Sequence, residues 1–430
     1  MKFSKQIVLG LLSVGIVVAC KDLEVKKAIV YPSMAEVKQT TLLADVGGVK
    51  VNNGGYGSSL VQDANDPAVF YMLTDRGPNI DGTVSGSKVF SSPNFVPQIG
   101  KFRLVDSTLV LEKIIELKNE NGVAISGLPN PIGQGGTGEN ALDVLGNPLG
   151  TSVDGLDSEG MAIAPDGSFW ISDEYGPHIV HFDVTGKTIE RINAFGNGKG
   201  GRKIPLVYAR RRANRGMEGL TITPDGKTLV GIMQYPLYNP SAAAISGSVV
   251  TRILAYDIAA GTAKEFVYLI EKSTLQAVSE ITAITNTTFL VLERDGEYRT
   301  EANKGTVVKK IYKIDIASAT DISDPANGVG GKLYNGKTIE ELKTAAELTA
   351  NAIIPVAKTL VSDLMIDIPN YPHDKAEGIF VINSNLIAVS NDDDFGITGI
   401  GKYETKLVAG ISNQVDRNRI YFIKLKNSLR

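Results

Sequence analysis

Several of the residues and motifs that most often betray a protein's chemistry are scarce or missing in this 430-residue chain. It has one cysteine, three histidines and one tryptophan. A single cysteine, Cys20, excludes an intrachain disulfide. There is no Cys-x-x-Cys pair and no His-Glu-x-x-His helix, so the usual zinc sites have little support. No Gly-x-Ser-x-Gly elbow occurs, which disfavours a serine esterase of the α/β-hydrolase kind. A formal net charge of -3 gives no global reason to expect nucleic acid as a partner. No low-complexity run or Pro/Ser linker divides the sequence. With 43% hydrophobic and 21% charged residues, there is enough apolar material for one large folded domain.

The N-terminus stands apart. Lys2 and Lys5 precede an apolar stretch, Ile7 to Val18, that is too short to span a bilayer and runs into Val17-Val18-Ala19-Cys20. This looks like a bacterial lipoprotein signal with its lipobox, the alternative being an ordinary signal peptide with an incidental cysteine. The expected organisation is a signal peptide over 1–20, lipidation at Cys20, a tether over 21–40, and one domain over 41–430. The domain would then sit in the cell envelope, lipid-anchored, facing the periplasm or the cell surface.

Four segments repeat one pattern: a glutamate, a short apolar strand, a turn, a second apolar strand, then polar, mostly acidic residues. They open at Glu159, Glu218, Glu280 and Glu377 and close at Asp173-Glu174, Gln234, Glu293-Arg294-Asp295 and Asn391-Asp392-Asp393-Asp394. Apolar runs flanking Pro-Asp-Gly or Asn-rich turns predict β-hairpins. The midpoint of 159 and 173 falls inside the Pro165-Asp166-Gly167 turn, so the opening glutamate and closing acids are expected side by side at the open end. A diverged unit precedes these, running from Gly57 to Asp75-Arg76 without the opening glutamate. Third strands follow at Gln98 to Asp106, His178 to Asp183, Thr251 to Asp257, Lys309 to Asp315 and Asn418 to Lys426, and fourth strands at Leu109 to Leu117, Lys187 to Ile192 and Ala263 to Leu269.

Such repeats, 59 and 62 residues apart in the cleanest stretch, predict an all-β propeller of five or six blades of antiparallel strands. The strand near Thr41 to Asp45 is expected to pair with 418 to 426 and close the ring. Within the longer gap before Glu377, the stretch from Thr338 has helical spacing behind an N-cap threonine and predicts a short surface helix. The Gly/Pro/Asn-rich stretch from Asn119 to Ser152 predicts a long loop.

In a propeller the four glutamates would line one end of the central channel, with Asp75, Asp173, Glu174, Glu293, Asp295 and Asp392 to Asp394 crowding the same rim. Two carboxylates about 7 Å apart repel by roughly 2 kcal/mol at an effective dielectric near 20. Something must compensate: a cation, protonation or arginines. Hard oxygen ligands favour calcium, with magnesium or manganese behind it. The expected ligands are Glu159, Asp173, Glu218, Glu280, Glu377, Asp392 and Asp393, unless each glutamate merely bonds backbone amides of a neighbouring blade. Arg76, Arg294, Arg215 and His373, with Lys375, are expected to hold an anionic substrate group, or else to form rim salt bridges.

The Asp157-Ser-Glu159-Gly-Met-Ala segment with Asp173-Glu-Tyr-Gly, the Gly216-Met-Glu218-Gly-Leu unit, and Lys375-Ala-Glu377-Gly-Ile with Asn391-Asp-Asp-Asp-Phe-Gly resemble the phytase-like domain, also called the esterase-like activity of phytase family. The resemblance runs from about Gly47 to the C-terminus. It implies an extracytoplasmic β-propeller with phosphoesterase-type activity, and by motif it points to Glu159, Asp173, Glu174, Glu218, Glu377, Asp392 and Asp393. Gln234 and Ile281 depart from the repeat. The expected function is a metal-dependent hydrolase of phosphate esters, with Glu159 catalytic and Glu174 or His178 moving protons. Two alternatives stay open: a calcium-dependent lactonase or carboxylic esterase of the gluconolactonase-like type, and a lipid-anchored binding propeller with structural calcium. The expected partner is a small anionic ester, with membrane contact through the lipid only.

Overall fold

The computed structural model describes residues 29–272, 276–303, 305–408 and 414–430. The signal segment and Cys20 lie outside the described residues. Residues Tyr31–Arg430 form one contact unit. It is nearly all β, built from small antiparallel sheets, with only two α-helices of six and four residues among the described residues.

Strands group into antiparallel quartets. The second quartet is Ser158–Ile163, Phe169–Asp173, His178–Phe182 and Thr188–Asn193. The third is Met217–Ile222, Thr228–Met233, Val250–Asp257 and Thr262–Leu269, and the fourth is Ala277–Ala283, Thr288–Arg294, Lys309–Asp315 and Ala357–Asp363. An eight-stranded sheet contains two more. In the first quartet Ser59–Gln62, Val69–Leu73, Gln98–Val105 and Thr108–Glu116 run in order; in the fifth, Ala376–Asn383, Leu386–Asn391 and Arg419–Lys424 are completed by Met34–Val37. The last strand also meets the first quartet in parallel, Glu36 opposite Thr108, which joins the two.

The pairing strand is therefore Met34–Val37, inside the expected tether. The segment expected to do this, Thr41 to Asp45, instead enters a separate hairpin, Leu42–Val46 with Val49–Asn52. The reason is burial: Ala35 and Val37 alternate into the core, whereas Leu42 is exposed.

The first strands of successive quartets pack side by side in a closed cycle, the fifth returning to the first. Apolar residues fill the spaces between neighbouring sheets. Trp170 and Ile179 meet Leu220, Leu229 and Leu254 between the second and third; Val230 and Ile253 meet Ile281, Phe289 and Val291 between the third and fourth. The glycine after the glutamate permits this approach. A Cβ on Gly160 would lie 2.2 Å from the Leu220 nitrogen, and one on Gly219 would lie 2.5 Å from that of Ile281.

The long gap before the fifth quartet holds a 3-10 turn, Glu340–Leu342, and the helix Ala345–Ala350, whose N-cap is Thr344 rather than Thr338. Thr338 instead pairs with the Glu341 carboxylate at the preceding turn. Below this turn Arg252 is fully buried, donating to Glu340 and Glu265. The long loop before Ser158 carries the strand Asn140–Asp143, which pairs in parallel with Ser87–Phe90.

Candidate functional site

Each hairpin brings the start of its first strand beside the end of its second, as Ser158 opposite Asp173 shows. At the glutamates the register slips: bulges fall between Ser158 and Met161, Met217 and Gly219, and Ala376 and Ile379. A bulge re-aims one side chain. Here it turns Glu159, Glu218 and Glu377 into a shared cavity of about 140 Å³.

That cavity is strongly charged. Asp75, Asp157, Glu159, Glu174, Glu218, Glu377 and Asp392 line it, against Arg76, Arg215, Arg294 and Lys375. Asn214, Gln234 and Tyr235 complete most of the wall. Oxygens of Asp157, Glu159 and Glu174 lie within 4.8 Å of one another, and all three residues are buried. Glu174 Oε1 and Glu218 Oε2 are buried without a hydrogen-bond partner, and Asp157 Oδ2 has only the Arg76 guanidinium, at 3.1 Å. Buried anionic oxygens that lack a donor are costly, and hard carboxylate oxygens converging in this way fit a hard cation such as calcium. The acidic triad could therefore hold a metal ion.

Protonation follows from the same crowding. Burial, then the carboxylates of Glu218, Asp157 and Glu174, hold the Glu159 carboxyl well above the usual range. Burial and the nearby Glu174 and Glu377 do the same to Glu218, against the pull of Arg294. Burial pushes Asp75 up to about 6 although Arg76 lies beside it.

The basic residues are tied to particular acids. Arg294 donates from Nη2 to Glu377 at 2.6 Å and from Nε to Ser279 at 2.8 Å. Lys375 donates to Asp392 at 3.0 Å and also to Asp394. Arg76 lies 3.1 Å from Asp157 Oδ2 and donates to the Tyr175 hydroxyl and to Glu139, which the long loop supplies. Arg215 stands at 4.0 Å from Glu174 and keeps 39% of its side chain exposed, so it sits at the mouth.

Other expected residues lie elsewhere. Asp173 is turned away from the cavity: Oδ1 accepts from the backbone of Asp157 at 2.9 Å and Tyr175 at 3.0 Å, and Oδ2 meets His178 Nδ1 at 2.7 Å. It holds the backbone of Asp157, a member of the triad, and of Tyr175, next to Glu174. His178 lines a separate polar cavity of about 150 Å³ with Arg191 and Asp154. Asp393 accepts from Gly55, Phe395 and Asn418 backbone amides. His373 is locked between Asp416 at 2.7 Å and the Tyr421 hydroxyl at 2.8 Å.

Glu280 is out of line with the other glutamates by one residue. It pairs with Leu292, as Gly219 pairs with Ile232, so Ser279 stands at the bulge and Glu280 stands where a glycine does elsewhere. Its carboxylate reaches across the cycle to Ser59 Oγ at 2.7 Å and also accepts from the Leu220 amide at 3.1 Å. Glu293 likewise points away, to the Tyr268 hydroxyl and Lys358, and Asp295 is held by Lys309 and the Val308 amide.

Asp157 and Glu139 received no role from the sequence alone. Asp157 lies two residues before Glu159, a spacing that marks it only once the bulge is known; nothing local distinguishes Glu139.

The architecture and cavity define an all-β protein with a buried, carboxylate-rich pocket at one end of its hairpins. Residues 52–395 match the phytase-like family described as "Esterase-like activity of phytase", and the chain belongs to that family. An uncharacterized secreted protein of Arthroderma benhamiae is 28% identical over 347 residues, covering 64% of this chain and 66% of that protein, just under two thirds of its length. Among solved structures, a PQQ-bound aldose sugar dehydrogenase from Streptomyces coelicolor aligns over 90% of this chain and 88% of its own, with 10% identity and a TM-score of 0.34. A luciferin-regenerating enzyme aligns over 86% and 78%, with 9% identity and a TM-score of 0.32. At such scores the likeness says nothing of function.

Proposed function

We propose that the protein is an extracytoplasmic metal-dependent hydrolase of phosphate esters, built as a five-bladed β-propeller whose quartets are the blades. The observation that carries the chemistry is the convergence of buried oxygens on Asp157, Glu159 and Glu174, where Glu174 Oε1, like Glu218 Oε2 beside it, has no hydrogen-bond donor. Family membership supports ester hydrolysis. The closed cycle of first strands supports the propeller.

In this reading Asp157, Glu159 and Glu174 would hold the ion, most simply calcium, with Glu218 in the same cavity. A bound ion would supply Lewis-acid polarisation of a phosphoryl oxygen and ease deprotonation of water. The chain's own residues do the rest. Arg294 and Lys375 would face the remaining phosphoryl oxygens, Arg76 fixes Asp157, and the Glu218 carboxyl, beside the triad in the same cavity, would move the proton to or from the leaving group. His178 and His373 take no part, because neither lines the cavity.

The placement outside the cytoplasm rests on the signal-like N-terminus and on the secreted relative. Lipidation at Cys20 is part of the same proposal.

The test is elemental analysis of the purified protein, then turnover of phosphate monoesters, diesters and sugar lactones before and after chelation. Stoichiometric calcium with chelator-sensitive phosphate release supports the reading. Lactone opening alone would replace it with the lactonase, and bound calcium without turnover would replace it with a binding propeller.

A further inference from the structure

The loop that enters the third quartet, Arg210-Arg211-Arg212-Ala213-Asn214-Arg215, carries four arginines with unequal surroundings. Arg211 is buried and occupied, donating to the carbonyls of Glu174 and Gly135. Arg210 is exposed and donates to the Pro240 carbonyl. Arg212 and Arg215 stack on aromatic rings, and Arg215 donates from Nη1 to the Asn214 carbonyl. Their guanidinium carbons lie 4.6 and 5.6 Å from the ring centre of Tyr235, and Arg212 also lies 5.2 Å from that of Tyr238. Among the described residues no carboxylate lies within 4.0 Å of Arg212, and Arg215 meets only Glu174, at 4.0 Å.

Aromatic support of this kind covers the face of a guanidinium and leaves its N–H edge available for bidentate contact with an oxyanion. It also fixes a side chain that would otherwise lose much rotamer freedom on binding. Tyr235, Asn214 and Arg215 line the carboxylate cavity, Arg215 at its mouth, and Arg212 adjoins it through the shared Tyr235 ring. The electrostatics call for such a device. Seven carboxylates repel an approaching anion, and two cations at and beside the mouth that the protein leaves largely unneutralised reverse the sign locally.

We propose that Arg212 and Arg215, braced on Tyr235 and Tyr238, form an oxyanion clamp that selects substrates carrying a second anionic group, phosphate or carboxylate, away from the bond that is cleaved. This rests on the phosphate-ester reading and narrows it to polyanionic esters.

The test uses three matched compounds with the calcium-loaded full-length protein: phenyl phosphate, 4-carboxyphenyl phosphate and 1,4-phenylene bisphosphate. Binding is measured by calorimetry and turnover by phosphate release. The wild type should bind at least one two-anion compound about tenfold or more tightly than phenyl phosphate, as one charge-assisted bidentate contact provides. Arg212→Ala should bring that ratio to within about twofold, and Arg212→Lys should fall between, since an ammonium keeps the charge without the planar fork. Calcium titration of Arg212→Ala should match the wild type, showing the cavity intact. The bisphosphate and carboxylate arms identify which oxyanion is preferred. No preference in the wild type, or one that survives Arg212→Ala, overturns the clamp. If the preference is present and depends on Arg212 but no compound is turned over, the clamp stands and the hydrolase reading falls.

Discussion

Replacing Glu159 with glutamine should have opposite effects on the calcium-free and calcium-bound protein. Oxygens of Asp157, Glu159 and Glu174 lie within 4.8 Å of each other, so each ionised pair repels by about 3 kcal/mol at an effective dielectric near 20. Burial first, and repulsion of this kind second, hold the Glu159 carboxyl well above its ordinary 4.5 in the absence of a cation. A group that binds protons more tightly in the folded state costs stability as pH rises from its unfolded value through its folded one. Calcium-free wild type should therefore lose stability as pH climbs above about 4.5, and calcium should bind more tightly at higher pH. The amide introduced by Glu159→Gln carries no charge to relieve, so the calcium-free variant should be more stable at about pH 7.5, by no more than the roughly 3 kcal/mol of one repelling pair, a rise of a few °C in Tm. Calcium at about one hundred times its Kd should stabilise the wild type by about 2.7 kcal/mol, and most of that shift should vanish in the variant. The assay is thermal unfolding with and without calcium across pH. An unchanged calcium shift would remove Glu159 from the ion site, and a less stable calcium-free variant would mean that its carboxylate is a structural acceptor instead.

Two other perturbations test the support around the site. Asp173→Asn should cost about 3 kcal/mol in urea unfolding, because a buried carboxylate accepting three amides and facing His178 is lost; it should also weaken calcium binding through the loosened Asp157 and Tyr175 backbone, and unchanged affinity would dismiss that positioning role. A chain lacking residues 29–40 should be insoluble or unfold without cooperativity, since it lacks the strand Met34–Val37, whereas one beginning at residue 29 should fold normally. Equal Tm values for the two would show that this strand is dispensable.

Much of this protein follows from local pattern. Alternating apolar runs and Pro-Asp-Gly or Asn-rich turns fix a hairpin within a dozen residues, so the strands at Phe169–Asp173, Lys309–Asp315 and Thr262–Leu269 fall where the pattern puts them. The shared end of the hairpins, and hence a cavity holding Glu159, Glu218 and Glu377, was equally legible. Where each side chain points was not. A bulge shifts the register by one residue, and whether Glu280 sits at it or beside it depends on the strand that packs against it. Asp173 and Glu174 are adjacent in sequence, yet one braces backbone amides and the other enters the cavity, because the strand ends at Asp173 and Glu174 begins the turn that follows. The closing strand and the Arg76 to Glu139 contact join segments far apart in the chain, and only mutual burial selects them. The repeated hairpin and its acidic end are thus written residue by residue along the chain, whereas which acids meet is settled by packing, since it depends on register and on the neighbouring sheet.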